Sequence, residues 1–245
     1  MLVVEKLNKA FGALQVTCDI SLHVEPGARH ALIGPNGAGK TTLFNLLTGE
    51  IRADSGSITL AGKDLTRARP DIRARLGMAR SYQQNNLFAD LTVTQNLVTA
   101  LVVARGYGLR LWQRLSDRNE LVLGAVEIAE LIGLADVLDE PAHRLAYGMK
   151  RQLEVGLALA VEPKLLLLDE PTAGMSPDET KLMLTLIGSL PPTLTVLIIE
   201  HDMDVVFQFA ERITVLDEGA VLFEGSPDEV HCSDVVRARY LKLAT

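Results

Sequence analysis

The chain has 245 residues, enough for one large α/β domain or two small ones, and its 48% hydrophobic content supplies a sizeable core and argues against intrinsic disorder. A net charge of −7, from 24 basic and 31 acidic side chains, leaves no basic footprint for a nucleic-acid partner. No apolar run approaches the ~18 residues that span a bilayer, Met1–Lys6 lacks the basic and apolar regions of a signal peptide, and Cys18 and Cys232 sit in no metal or redox spacing, so a cytoplasmic location is expected.

The first expected strands are Leu2–Leu7 and Val16–Val24, the latter alternating with Ile20, Leu22 and Val24 opposite Asp19, Ser21 and His23. Pro26-Gly27 is a turn signal, and Ala28–Ile33 is a short apolar strand. That strand runs into Gly34-Pro35-Asn36-Gly37-Ala38-Gly39-Lys40-Thr41-Thr42, which fits the phosphate-cradling pattern G-x-x-x-x-G-K-[ST]. A helix over 42–48 follows, stopping at Gly49. A strand turning through glycines into a helix N-terminus makes an anion site, because the first-turn N–H groups lack intrahelical partners and the helix dipole is positive there. Gly34, Gly37 and Gly39 let the backbone approach phosphates, Lys40 is placed to reach the β- and γ-phosphates, and the Thr41 hydroxyl is placed to ligate Mg²⁺. Alone, the loop says only that the protein binds and turns over a nucleoside triphosphate.

Ser57–Leu60 is another short strand. Arg67, Arg69, Arg73, Arg75 and Arg80 then cluster around Asp71. Such a cluster suits phospholipid headgroups or a partner's acidic loop, but the expectation is the solvated side of a short helix after Pro70. Residues 91–161 change character: Thr94–Val103, Asp117–Leu131 and Lys150–Val161 all read as helices, which predicts an inserted helical subdomain. From Lys164 strand and helix alternate. Leu165–Leu168, Thr195–Ile199, Ile213–Leu216 and Ala220–Phe223 are strands, with helices over Pro177–Leu186 and Met203–Phe209. Alternation of this kind predicts a parallel sheet covered by helices, in a single α/β domain over 1–245.

The second chemical signal is Leu165-Leu166-Leu167-Leu168-Asp169-Glu170. A four-leucine strand is buried on both faces, so its acidic end emerges at the carboxyl edge of the sheet, where α/β ligands bind. Asp169 is the candidate for the Mg²⁺ shell. Glu170, one residue on, is the candidate for polarising the water that attacks the γ-phosphate.

The third signal is Leu145-Ala146-Tyr147-Gly148-Met149-Lys150-Arg151-Gln152-Leu153-Glu154, which enters a helix. With it the chain resembles the ATP-binding cassette (ABC) ATPases, whose signature loop reads L-S-G-G-Q or L-S-Y-G. The motifs occur in that family's order over nearly the whole chain. The resemblance implies the P-loop ABC ATPase fold, with a mixed-sheet core, an antiparallel β subdomain and the helical insertion. It also implies ATP and Mg²⁺ as ligands and a head-to-tail pair of cassettes, in which Tyr147 and Gly148 of one copy face the γ-phosphate held by the other. Nucleotide contacts carry over to Gly34, Asn36, Gly37, Ala38, Gly39, Lys40, Thr41 and Thr42, and Phe11 resembles the aromatic that stacks on adenine. Gln83 resembles the glutamine that touches Mg²⁺ or the attacking water, His201 the switch histidine at the γ-phosphate, and Ala173-Gly174-Met175-Ser176 the D-loop at the dimer interface. Two positions depart from the pattern: the signature serine is Ala146, and the fifth position is Met149.

A narrower resemblance rests on the Tyr-Gly signature, Asn86–Leu97 and Ala173–Pro177. These are similar to the ATPases of importers for branched-chain amino acids, amides and urea, and the extra segment Gly106–Ser116 resembles the longer of that system's two ATPases. Trp112 there suits either a membrane or partner contact or a buried anchor. The implied partners are a membrane permease docking beside Gln83 and residues 85–88, a second cassette (identical or paralogous) and, indirectly, a solute-binding protein. The permease implies a position on the cytoplasmic face of the membrane. The rival is a cassette for lipid or lipopolysaccharide extraction. A soluble DNA-repair or translation ATPase fits less well, since this chain has no tandem cassette, coiled coil or zinc cysteines. A GTPase is disfavoured because Asn8-Lys9-Ala10-Phe11 lacks the Asp of a guanine-reading N-K-x-D, and Glu170 with His201 speaks against a non-enzymatic switch.

Overall fold

In the computed structural model, which describes residues 1–81, 87–106 and 118–239, one row of strand pairing organises the molecule. The third strand, β3 (Arg29–Ile33), lies in a sheet with β6 (Met78–Ser81), β7 (Leu165–Asp169), β8 (Thr195–Ile199), β9 (Arg212–Asp217) and β10 (Ala220–Gly225), in the order β10-β9-β3-β8-β7-β6. All but β10 run parallel, and Leu32, Ile199 and Asp169 share one row across β3, β8 and β7. The residues that follow these strands therefore emerge together at one edge.

The leucine strand shows why the sheet is central. Every residue of β7 is buried, and its side chains divide by parity: Leu165 and Leu167 enter one core, Leu166 and Leu168 the other. Strand β8 repeats the split, with Leu197 and Ile199 opposite Val196 and Ile198. A strand with two apolar faces needs cover on both sides. On one side the cover is helix α1 (Lys40–Thr48), through Leu43, Phe44, Leu46 and Leu47, backed by a four-stranded antiparallel sheet ordered β2-β1-β4-β5. Its strands are β1 (Leu2–Phe11), β2 (Leu14–Val24), β4 (Ser55–Leu60) and β5 (Lys63–Asp64). On the other side lie α3 (Val93–Ala104), α4 (Arg118–Leu131), α5 (Tyr147–Leu159), α6 (Pro177–Ser189) and α7 (Met203–Phe209). Capping boxes start α3 at Thr92 and α6 at Ser176, where side chain and backbone satisfy two orphan amides reciprocally.

The arginine cluster behaves differently from the expectation. Helix α2 (Pro70–Arg75) does follow Pro70, and Arg67, Arg69 and Arg75 are exposed on its side of the molecule. Arg73, however, is buried. Its guanidinium donates to the carbonyls of Leu46 at 2.7 Å and Ala68 at 2.9 Å, satisfying part of the open C-terminal turn of α1. Arg80 leaves the cluster altogether, because it sits on β6 beside the leucine strand. Strand β6 and the final helices α8 (Pro227–Cys232) and α9 (Asp234–Arg239) go beyond the elements expected from sequence. Of the Gly106–Ser116 segment, residues 107–116, Trp112 included, lie outside the described residues.

His30 on β3 is fully buried, with Nε2 2.8 Å from the Thr214 hydroxyl and Nδ1 without a partner. Burial pushes its pKa down to about 4, Glu224 opposing and Arg212 adding to the shift. The folded state thus refuses a proton that the unfolded chain takes up near pH 6.5. Stability is fully present above that pH and is lost as the pH falls toward about 4, by an amount on the order of 3 kcal/mol for this group. Thermal melts at pH 7 and pH 5 should therefore converge in His30→Leu relative to the parent protein; an unchanged pH dependence counts against this assignment.

Candidate nucleotide site

The expected phosphate loop leaves β3 at Ile33 and enters α1 at Lys40. Two of its glycines are required by space as well as by backbone angle. Gly34 has φ 151°, and a Cβ there would lie 2.2 Å from the Leu216 carbonyl oxygen. Gly39 has φ 96°, and its Cβ would lie 2.7 Å from the Val16 carbonyl oxygen. Gly39 is also the N-cap of α1 and offers no side chain to the helix end, so the first-turn amides keep their capacity for an anion. Asn36 and Thr41 are exposed, Ala38 is buried and Thr42 half-buried.

Lys40 is buried, and its ammonium donates to the carbonyls of Gly34 at 2.6 Å and Pro35 at 3.0 Å. The lysine thus holds the loop's curvature from inside. Burial lowers its pKa, while the carboxylates of Glu170 and Asp169 work in the opposite direction. Those two acids come from the end of β7, separated from β3 by β8, at the level set by the shared row of the three strands.

Asp169 ends β7 and is almost wholly buried. One oxygen accepts from Arg80 at 2.6 Å, and the other, Oδ1, has no partner among the described residues. Arg80 also donates to Asn45 Oδ1 on α1 at 2.6 Å, so it braces β7 against the phosphate-loop helix. A buried carboxylate oxygen with a vacant lone pair beside a phosphate loop fits a divalent cation, since Mg²⁺ usually takes one or two protein ligands and completes its shell with phosphate and water. Thr41, in the first turn of α1, is the hydroxyl of that set. Gln83, expected beside them, lies outside the described residues.

Glu170 has a left-handed backbone, φ 47°, and donates its N–H to Ile199 O at 2.9 Å. Its carboxylate stands 3.9 Å from His201 Nδ1, and the imidazole is largely exposed. Between them is a residue the sequence analysis gave no role. Glu200 is fully buried. Its Oε1 accepts from Thr172 N at 3.1 Å and Thr172 Oγ1 at 2.7 Å, and its Oε2 accepts from His201 N at 3.3 Å. Burial pushes its carboxyl pKa up, against those three donors. Arg80 also went without a specific role. The sequence signal for Glu200 is an acid next to the candidate histidine; for Arg80 only three-dimensional pairing reveals it.

Phe11 ends β1, half-exposed, at the hairpin whose second strand passes its Val16 carbonyl against Gly39. The signature segment lies apart. Ala146 is the N-cap of α5 and makes no side-chain cap bond. Tyr147 donates its hydroxyl to Ala173 O at 3.0 Å, and Gly148 N donates to Glu179 Oε1 at 3.1 Å. Among the described residues no hydrogen bond or ion pair joins this helix end to the phosphate loop of the same chain. Phosphate loop, Asp169, Glu170 and His201 thus share one sheet edge, while Tyr147 and Gly148 face the 173–179 segment.

Comparison with known proteins agrees with this geometry. Residues 17–173 match the family model described as ABC transporter. The chain is 38% identical over 97% of its length, and 96% of the relative's, to the high-affinity branched-chain amino acid transport ATP-binding protein LivG of Salmonella typhimurium. It is 35% identical, over 97% of its length and 96% of the relative's, to the corresponding protein BraF of Pseudomonas aeruginosa. The solved ATP-binding cassette MJ1267 superposes with a TM-score of 0.87 at 29% identity, covering 98% of each chain.

Arg80 and Asp169 form a buried ion pair, and removing one partner of such a pair leaves an uncompensated charge. Arg80→Met should destabilise the protein by about 3–5 kcal/mol in urea unfolding. A loss near that of a surface pair would show that Asp169 is held by other means.

Proposed function

The chain belongs to the ABC transporter family, and from that premise we propose that its ATPase site drives import of branched-chain amino acids or chemically similar small polar solutes through a membrane permease. It binds nucleotide and is an ATP-hydrolysing enzyme. The observation that carries the catalytic reading is the convergence of Lys40, Asp169, Glu170 and His201 at one sheet edge. The solute class is supported by the names of LivG and BraF.

In this reading Lys40 and the first-turn amides of α1 hold the β- and γ-phosphates, and Phe11 stacks on adenine. Thr41, Asp169 and Gln83 would hold Mg²⁺, which would offset phosphate charge. Glu170 accepts a hydrogen bond from the attacking water and takes its proton as the new P–O bond forms and the bond to the ADP oxygen breaks. His201 donates to the γ-phosphate. A second cassette supplies its Tyr147–Gly148 helix end from the opposite side.

No helix among the described residues is long and apolar enough to cross a membrane. Work on a solute therefore passes through permease subunits, with the chain peripheral on the cytoplasmic face and the solute-binding protein engaged only indirectly. A cavity of about 320 Å³ between α2 and α5, walled by Pro70, Met78, Leu157 and Val161, opens beside Ser81, where β6 leads into residues 82–86. Thr48, Arg73, Arg80 and Glu154 also line it, so its walls are partly apolar and partly charged. A cleft of this mixed lining suits a docked segment of the permease.

Glu170→Gln should keep ATP binding, abolish steady-state phosphate release and run as a dimer with ATP in size exclusion; near-normal release removes Glu170 from its role. Ala146→Ser adds the missing N-cap hydroxyl, and in the Glu170→Gln background it should lower the ATP concentration needed for dimerisation. Equal or weaker dimerisation would sink that expectation.

A further inference from the structure

Glu200 is a fully buried carboxylate that the mechanism above leaves unused, and among the described residues its one basic side-chain neighbour within 4.0 Å is the His201 imidazole, through Nδ1. Burying an ionisable group costs free energy unless its hydrogen bonds are made, so its partners indicate what it is for. Both oxygens reach catalytic loops. Oε1 takes both donors of Thr172, two residues after Glu170, and Oε2 takes the main-chain N–H of His201.

We propose that Glu200 is a positioning residue for ATP hydrolysis, bridging the turn after Glu170 to the loop of His201 so that the two side chains face the same phosphate. The proposal rests on the assignment of Glu170 and His201 above. Two cross-ties hold the strand ends together: Glu170 N to Ile199 O, and Thr172 to Glu200. The first alone leaves Glu170 on a left-handed backbone, which persists only where its surroundings over-determine it. The second fixes the chain on the far side of Pro171. It is also the tie that reaches His201, whose own side chain is mostly exposed and held by no hydrogen bond among the described residues.

The bridge demands a carboxylate. Every donor around Glu200 is an N–H or O–H, so both of its oxygens must accept. A glutamine satisfies one end and turns an N–H₂ toward a donor at the other. Glu200→Gln therefore releases either Thr172 or His201, while the nucleotide-holding groups of α1 stay in place.

The test compares the full chain with Glu200→Gln and Thr172→Val, the latter losing only the hydroxyl donor. Glu200→Gln should lower kcat for phosphate release by about tenfold or more, the scale of a lost hydrogen bond to a charged group. Its KM and ATP affinity should stay within about threefold, because P-loop contacts are untouched. Thr172→Val should fall between it and the parent in kcat, with ATP affinity unchanged. If Glu200→Gln does not fold, Thr172→Val decides alone. A kcat within twofold of the parent in every variant that folds overturns the proposal, as does a kcat loss matched by an equal loss of ATP affinity. If Glu170→Gln still releases phosphate at the parental rate, the catalytic assignment beneath the proposal fails separately.

Discussion

Everything that gives this molecule a site depends on the parallel register of three strands. Because Leu32, Ile199 and Asp169 share one row, the chain leaves β3, β8 and β7 at the same height. Asp169 stands in that row, and Glu170, the Glu200-His201 pair and the start of the phosphate loop follow within two residues of it. A slip of one residue in β7 would exchange its two apolar faces and turn Asp169 away. The leucine run tolerates such a slip in hydrophobicity, since both faces are buried. What opposes it is specific: Asp169 with Arg80, and Glu170 N with Ile199 O.

The same register crowds charge. Asp169, Glu170 and Glu200 gather within reach of Lys40, Arg80 and His201, and each acid is treated differently. Asp169 is buried and gives one oxygen to an arginine, while the other has no partner among the described residues. Glu170 keeps partial solvent access, as a proton acceptor needs. Glu200 is buried and satisfied on both oxygens. In the mechanism proposed above, identical chemistry would serve as ligand, base and brace, distinguished by burial and partners.

These differences explain what was legible in the sequence. Patterns carried by composition were readable: the Gly34–Thr42 loop between an apolar strand and a helix, the four leucines before Asp169-Glu170, and the alternation of β2. Strand β6 was not, because Met78-Ala79-Arg80-Ser81 is four residues long and carries a charged side chain. Its identity comes from pairing with β7, a partner far along the chain. For the same reason Arg80 read as part of a basic cluster, whereas pairing buries it against Asp169. Arg73 misled in a second way, since open carbonyls at the end of α1 accept a guanidinium that sequence spacing assigned to water.

The segment from Asp169 to Glu179 shows how the chemical end and the signature helix belong to one mechanical piece. Along these residues the chain is tied successively to other elements: Asp169 to Arg80 of β6, Glu170 to Ile199 of β8, Thr172 to Glu200, Ala173 to Tyr147, and Glu179 to Gly148. The first three ties order the sheet edge where phosphate chemistry is expected. The last two hold the start of α5, and Glu179 does so while also closing the capping box of α6 with Ser176. The segment is therefore fixed at close intervals by two sets of groups, one at the sheet edge that carries the phosphate loop and the other at the start of α5. Coupling between the two ends needs no distant relay, because they are joined by one short, densely hydrogen-bonded stretch of chain.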